Sequence, residues 1–216
     1  MLIAGIIGQN NKDKISRLIH RIFSNSNKRI SIVDSKNLSN FDAKRIKDYF
    51  NELEKNNVDI AILKIDFKDL LKEIFYNIKF DVIIFTDKAD EFDEDKIETY
   101  RKIMKKTFSL LNENGVAIVN SDDNDLSSFL SGIKHYIVTY GFNLKASITT
   151  SSVGDFMDKD DIMCCLQRTI HTKNGKILEP QEFKIKADLN GMDLYNVLAA
   201  ATFALINGVD VNLINN

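Results

Sequence analysis

Between Leu2 and Thr139, short runs rich in isoleucine and valine alternate with segments whose apolar residues recur at helical spacing. This rhythm confines the chain to α/β architectures. The runs Leu2–Ile7, Arg29–Val33, Val58–Lys64, Asp81–Thr86, Val116–Asn120 and Tyr136–Thr139 predict strands. Lys12–Phe23, Phe41–Lys55, Asp66–Ile78, Glu94–Leu111 and Asn124–Leu130 predict helices, with Ile15, Leu18, Ile19 and Ile22 making one such stripe. Strands buried on both faces read as unbroken apolar runs, as these do. The expected fold is therefore a mostly parallel, Rossmann-like (P-loop-type) sheet with helices on both faces.

From residue 140 the rhythm changes. Lys145–Thr150, Asp161–His171 and Ile177–Lys186 read as strands separated by turn signals such as Lys173-Asn174-Gly175, which predicts a small antiparallel β add-on near residues 145–186. A last helix is expected from Asp193 to Ile206, ending at Asn207-Gly208 as a C-cap does. No Gly/Ser or Pro linker and no internal repeat interrupts the 216 residues, so the chain reads as one domain.

Charge and hydropathy exclude several classes of partner. Lys and Arg number 29 against 31 Asp and Glu, a net charge of −2, which lacks the basic surplus that nucleic-acid backbones require. The longest apolar stretch, Val197 to Ile206, is about half of what a bilayer demands. The apolar start, Met1 to Ile7, has no charged n-region and no cleavage site, and reads as a strand. Cys164 and Cys165 are neighbours, and adjacent residues on a strand point to opposite faces, so a disulfide between them is strained. A reduced, cytoplasmic setting is expected.

After the first strand the chain reads Gly8-Gln9-Asn10-Asn11-Lys12-Asp13-Lys14 and enters a helix, the place where α/β proteins hold anionic ligands. A phosphate loop needs glycine so that amides can curl around phosphate, lysine for the β/γ charge and a hydroxyl for Mg²⁺. Here Asn11 stands for the second glycine and Asp13 for the hydroxyl residue. Asparagine tolerates left-handed backbone angles, so the loop can still form. A carboxylate in the first helical turn suits the helix dipole but repels polyphosphate. Two readings stay open: a nucleotide loop, and an ordinary strand-to-helix turn with an acidic first turn.

Four segments extend the pattern. Phe80-Asp81-Val82-Ile83-Ile84-Phe85-Thr86, Ala117-Ile118-Val119-Asn120-Ser121-Asp122-Asp123, Thr139-Tyr140-Gly141-Phe142 and Asn196-Val197-Leu198-Ala199-Ala200 resemble, together with the loop, the central domain of the Mur ligases. The similarity runs from about residue 3 to 210. These are the ATP-dependent amide ligases of peptidoglycan precursor synthesis, related to folylpolyglutamate synthases. The resemblance implies one central, ATP-binding domain over 1–216, with the family's N-terminal substrate domain and C-terminal ligase domain absent. It also implies acyl-phosphate chemistry in which Mg²⁺ bridges the phosphates of ATP.

The resemblance fails at the metal-linked positions. Asn11-Lys12-Asp13 replaces Gly-Lys-Thr/Ser, and Lys64 takes the place of a Mg²⁺-binding glutamate. Glu91-Phe92 replaces an Asp-His pair, and the carbamoylated lysine falls on Met104 if Tyr100 is the tyrosine that precedes it, with Lys105 one residue away. Lys64 can substitute for the cation and meet phosphate directly, or form an ion pair with Asp13 or Asp66. The adenine-side asparagine is matched by Asn196, whereas the family's His-Asn is replaced by Met192-Asp193. Asp193 also reads as a helix N-cap, and Asp122 and Asp123 as entry to the next helix. The nucleotide-binding candidates are thus Gly8, Asn10, Asn11, Lys12, Asp13 and Asn196. ATP is the implied nucleotide, and the altered positions argue against Mg²⁺.

Other residue clusters carry less. His20, His135 and His171 lack Cys or carboxylate partners at zinc-ligand spacing, and no Gly-x-Ser-x-Gly occurs. The run Asp90-Glu91-Phe92-Asp93-Glu94-Asp95 reads as a solvated loop feeding acidic residues into a helix N-terminus. Three functions follow from the residues and the resemblance. The first is a nucleotide- or partner-binding module that has lost Mg²⁺-dependent catalysis. The second is a working amide ligase that needs further domains, and the third is a protein-interaction domain that binds no nucleotide.

Overall fold

A computed structural model describes residues 1–24, 26, 28–67, 69–71, 75, 77–88, 94–152, 161–186 and 193–210. Its first half alternates β1 (Leu2–Ile7), α1 (Lys12–Ser24), β2 (Ile30–Asp34), α2 (Ser35–Leu38), α3 (Ala43–Lys55), β3 (Ile60–Ile65) and β4 (Phe80–Phe85). There follow α4 (Glu94–Phe108), β5 (Leu111–Asn120), α5 (Leu126–Leu130), β6 (Tyr136–Tyr140), β7 (Ile148–Ser152), β8 (Asp161–Leu166), β9 (Ile170–His171), β10 (Ile177–Leu178), β11 (Gln181–Lys186) and α6 (Leu194–Ile206).

Among the described residues nine strands form one sheet in the order β2-β3-β1-β4-β5-β6-β7-β8-β11. The pairs from β2 to β7 are parallel, and β8 and β11 continue the edge antiparallel. The expected add-on therefore extends the main sheet, while β9 and β10 form a separate two-stranded hairpin around the Lys173-Asn174-Gly175 turn.

Strand β1 lies between β3 and β4, which explains its unbroken apolar sequence. Successive residues serve opposite cores, as the strand period requires. Ile6, Ile62, Ile84 and Ile118 pack with the apolar stripe of α1 and with α6. Ile83, Phe85, Ala117 and Val119 pack with Tyr100, Met104, Phe108 and Phe129 on the other face. Helix α6 is buried around its whole circumference from Asn196 to Ile206, because it lies between α1 and the sheet. Asp193 caps its start by accepting the Tyr195 amide, and Asn207 with Gly208 ends it.

Three expectations are corrected. Asp66–Ile78 is not the expected α-helix: its described residues include a short 3₁₀ turn at Asp69–Leu71. Tertiary anchors override the helical spacing here, since buried Asp69 accepts a hydrogen bond from Ser35 Oγ at 2.6 Å and Phe67 packs edge-on against Tyr100. Second, α4 stops at Phe108, and β5 begins at Leu111, with a bulge between its pairings to Phe80 and Val82. Third, the two long strands of the add-on each divide. Pro180 separates β10 from β11, where a residue without an N–H cannot continue the ladder. No helix among the described residues is long and apolar enough to cross a membrane.

The burial of α6 predicts its energetic weight. Phe203 is fully buried against Phe23, with ring centroids 5.9 Å apart. Phe203→Ala is expected to cost about 3–5 kcal/mol, seen as a lower denaturant midpoint at an unchanged m-value. A loss below about 1 kcal/mol would show that the helix is not the keystone of this core.

Candidate functional site

The carboxyl ends of β1, β3, β4 and β5 converge where the strand order reverses around β1, the ligand-binding edge of open α/β sheets. The loop after β1 is built by close approach. A Cβ on Gly8 would lie 1.8 Å from Thr86 Oγ1 and 2.6 Å from Asp87 Oδ1, so only glycine fits between β1 and β4 at that point. Gly8 N donates to Ile65 O, and Gln9 N donates to Asp87 Oδ2 at 2.6 Å. Asn10 is exposed, and Asn11 O accepts the Ile15 amide as α1 begins. Neither asparagine takes a left-handed conformation; among the described non-glycine residues only Asn57 does. The loop forms without the backbone tolerance for which asparagine was noted.

Lys12 turns back onto its own loop. Its ammonium donates to the carbonyls of Gly8 and Gln9 and pairs with Asp66 Oδ1 at 2.5 Å, leaving its side chain 11% exposed. Asp66 also faces Lys36 at 4.0 Å. Lys64, at the end of β3, is hydrogen-bonded to Asp13 Oδ1 and lies 3.6 Å from Asp34 Oδ2. Of the two partners open to Lys64 on sequence, the structure selects Asp13, and Asp66 goes to Lys12. The hydrogen bond from Lys64 holds the Asp13 carboxyl below its ordinary value and raises the Lys64 ammonium in turn.

Asn196 is buried at the first turn of α6, and its Nδ2 lies 3.4 Å from Asn11 Oδ1, tying helix to loop. Asp193 is the helix cap that its alternative reading gave. Asp122 is neither free nor a helix entry: its carboxylate accepts the amides of Phe142 (2.7 Å) and Asn143 (3.0 Å) and the Tyr195 hydroxyl (3.0 Å). Asp123 does stand at a helix entry, accepting the Asp125 amide through Oδ1 and the Leu126 amide through its carbonyl. Beside them Phe142, Asn143, Leu144 and Lys145 border a cavity of about 590 Å³.

Met104 is buried in the α4 core, one turn after Tyr100, and Lys105 is exposed on the same helix. Glu91, Phe92 and Met192 lie outside the described residues. Sequence reasoning missed Asp34, Lys36 and Asp87 as members of the site. For Asp87 the available signal was a carboxylate directly after a buried strand end.

Among the described residues, the cluster at the end of β3 offers Mg²⁺ no pair of carboxylates free of a lysine. An ammonium stands at the end of β3, and the neighbouring carboxylates Asp13, Asp34 and Asp66 are all engaged by lysines. Among the described residues no group of three or more His, Cys, Asp or Glu is arranged to hold a metal ion.

Two expectations follow from this geometry. Asp122→Ala leaves two amides and a hydroxyl without their acceptor and should cost about 2–3 kcal/mol, read from a urea midpoint; a neutral change would mean that the three donors find water. The Asp13–Lys64 pair should stabilise the fold above the ordinary carboxylate value of 3.8 and lose that contribution as pH falls through the lowered one. Asp13 is 69% exposed, so screening limits the effect. Asp13→Asn should differ from the parent by at most about 1 kcal/mol at neutral pH and converge with it in acid.

The fold and these motifs have clear relatives. Residues 8–204 match the Mur ligase middle domain family. The UDP-N-acetylmuramoyl-L-alanyl-D-glutamate–2,6-diaminopimelate ligase of Chlamydia felis is 27% identical over 189 residues, 76% of this chain and 38% of that protein. The ligase of the same name from Bacillus cereus is 25% identical over 98% of this chain and 45% of its own length. The chain thus spans about two fifths of the curated relatives it matches. A solved UDP-N-acetylmuramoyl-L-alanyl-D-glutamate–2,6-diaminopimelate ligase shares the fold over 99% of this chain and 45% of its own, with a TM-score of 0.72 at 17% identity. MurF ligase from Thermotoga maritima, solved in complex with ADP, shares it over 100% of this chain and 48% of its own, with a TM-score of 0.61 at 13% identity. With the family pattern matched from the phosphate-type loop to the last helix, the chain belongs to the Mur ligase middle domain family.

Proposed function

We propose that this chain is a Mur-ligase-type nucleotide-binding domain in which Mg²⁺-dependent amide-bond formation is lost, and that it acts as a binding or regulatory module. The observation that carries this reading is the Lys64 ammonium, fixed between Asp13 and Asp34 at the end of β3. A unit positive charge 4 Å from a divalent ion is repelled by about 8 kcal/mol at an effective dielectric of 20. Met104 in the core supports the same reading, because a buried thioether offers neither the charge nor the carbamate chemistry of a lysine.

The nucleotide half of the proposal rests on family and loop geometry together. A family member of the same fold was solved with ADP. In this chain the switch point, the tight Gly8 turn and the Lys12 ammonium are all in place. Phosphate would meet Lys12 and Lys64 only by displacing Asp66 and Asp13, so binding is weak and gains nothing from a divalent ion. Lys64 then serves as the fixed cation beside the phosphates, a point charge on a tether.

Titration calorimetry with ADP and ATP, with and without Mg²⁺, tests the proposal. Weak binding indifferent to Mg²⁺ is expected, with no phosphate release when amino acids are added. The double variant Lys64→Glu, Asp13→Thr should gain Mg²⁺-dependent affinity. Mg²⁺-stimulated phosphate release by the unaltered chain would overturn the loss of catalysis, and a flat titration with every nucleotide would leave a protein-interaction domain.

A further inference from the structure

Beneath the loop lies a carboxylate that the ion-pair network does not use. Asp87 follows β4 and is 3% exposed. Its Oδ2 accepts the Gln9 amide at 2.6 Å, and its Oδ1 lies 3.0 Å from Thr86 Oγ1, a hydroxyl that also reaches Ile7 O at 3.2 Å. From the opposite side the Tyr100 hydroxyl donates to the Asp87 carbonyl at 3.2 Å and reaches Asp123 Oδ2 at 3.3 Å. Side chain and backbone of Asp87 are thus both pinned, one to the loop and one to α4. We infer that Asp87 is the positioning residue of the loop, capturing the Gln9 amide and setting how much negative charge the loop accepts.

The physical argument has two parts. The close approach at Gly8 brings the backbone against Asp87 but does not fix the direction of the next peptide; the Gln9–Asp87 hydrogen bond does. An amide bound to a buried carboxylate is also an amide withheld from a phosphate oxygen, and the carboxylate adds negative charge under the place where phosphate would sit. The groups facing it are Lys12 from α1, Asp66 after β3, and Tyr100 from α4, with Asp123 beyond the tyrosine. Burial pushes the Asp87 carboxyl above its ordinary value, so its charge is lost at a higher pH than that of an exposed aspartate.

Two substitutions separate position from charge. Asp87→Asn keeps an oxygen for the Gln9 amide and removes the charge, whereas Asp87→Ala removes both. Hydrogen exchange at Gln9 reads the position, and titration with Mg²⁺-free ADP over a pH series reads the charge. The charge half rests on the proposed nucleotide binding; the position half does not. Asp87→Asn should keep Gln9 protection and bind ADP about three- to a hundredfold more tightly than the parent, the range for two unit charges about 6 Å apart between dielectrics of 80 and 20. The parent's affinity should rise as pH falls, more steeply than that of Asp87→Asn. Asp87→Ala should lose protection at Gln9 by about tenfold or more, the loss of one charge-assisted hydrogen bond; if it does not fold, Asp87→Ser, too short to reach the amide, makes the same comparison. Unchanged Gln9 protection in Asp87→Ala or Asp87→Ser overturns the inference, as does an Asp87→Asn protein that matches the parent in ADP affinity at every pH. Gln9 protection in the expected order with no ADP bound by any protein supports the positioning role and ends the nucleotide reading.

Discussion

The site depends on one close approach. Where β1 leaves the sheet, its backbone passes Thr86 and Asp87 with no room for a side chain at Gly8, and the pairing of β1 with both β3 and β4 enforces that path. The Gln9 amide is thereby set against Asp87, the Lys12 ammonium turns back to the loop carbonyls, and α1 starts close enough to β3 for Asp13 to meet Lys64. Ile6, Ile62 and Ile84 are fully buried and hold the three strand ends together.

Three of the four carboxylates around the loop are paired with lysines. Lys12, Lys36 and Lys64 face Asp13, Asp34 and Asp66, and the two innermost ammonium groups, Lys12 and Lys64, keep side-chain exposures of 11% and 17%. Such an arrangement gives little net stability, because partly exposed pairs are screened and ordering long side chains costs entropy. Its consequence is electrostatic. A loop whose cations are already matched offers an incoming phosphate an exchange of partners instead of unspent charge, and the Asp87 carboxylate beneath it, outside these ion pairs, adds a further negative charge.

The frame was legible where burial and chain period agree. The unbroken apolar runs of β1, β3 and β4 and the stripes of α1 and α3 correspond to observed elements within a few residues. Asp66–Ile78 misled because its apolar spacing serves separate anchors, Phe67 on Tyr100 and Asp69 on Ser35, and not one helical face. The join of the add-on to the main sheet was invisible, since hydropathy reports that a strand is buried and not which neighbour buries it. In the site, Gly8, Lys12, Asp13, Lys64 and Asn196 were legible from the motif. Asp87 was not, because its role comes from a backbone amide brought to it by a strand 78 residues away in sequence.

The same geometry explains how chemistry can change while the family frame stays recognisable. Lys64 sits between Leu63 and Ile65, both fully buried, yet its own side chain emerges at the strand end into a polar cluster. Replacing a carboxylate by an ammonium there alters no core contact and no ladder hydrogen bond, because the ladder uses only the backbone of residue 64. Asp13 likewise points outward from the first turn of α1 while Ile15 and Ser16, two and three residues on, are buried. Matching residues along strands and helices therefore reports the fold, whereas the reaction is written in a few side chains at strand ends whose exchange leaves the fold untouched. On the proposed reading, the two records of this chain diverge at Lys64.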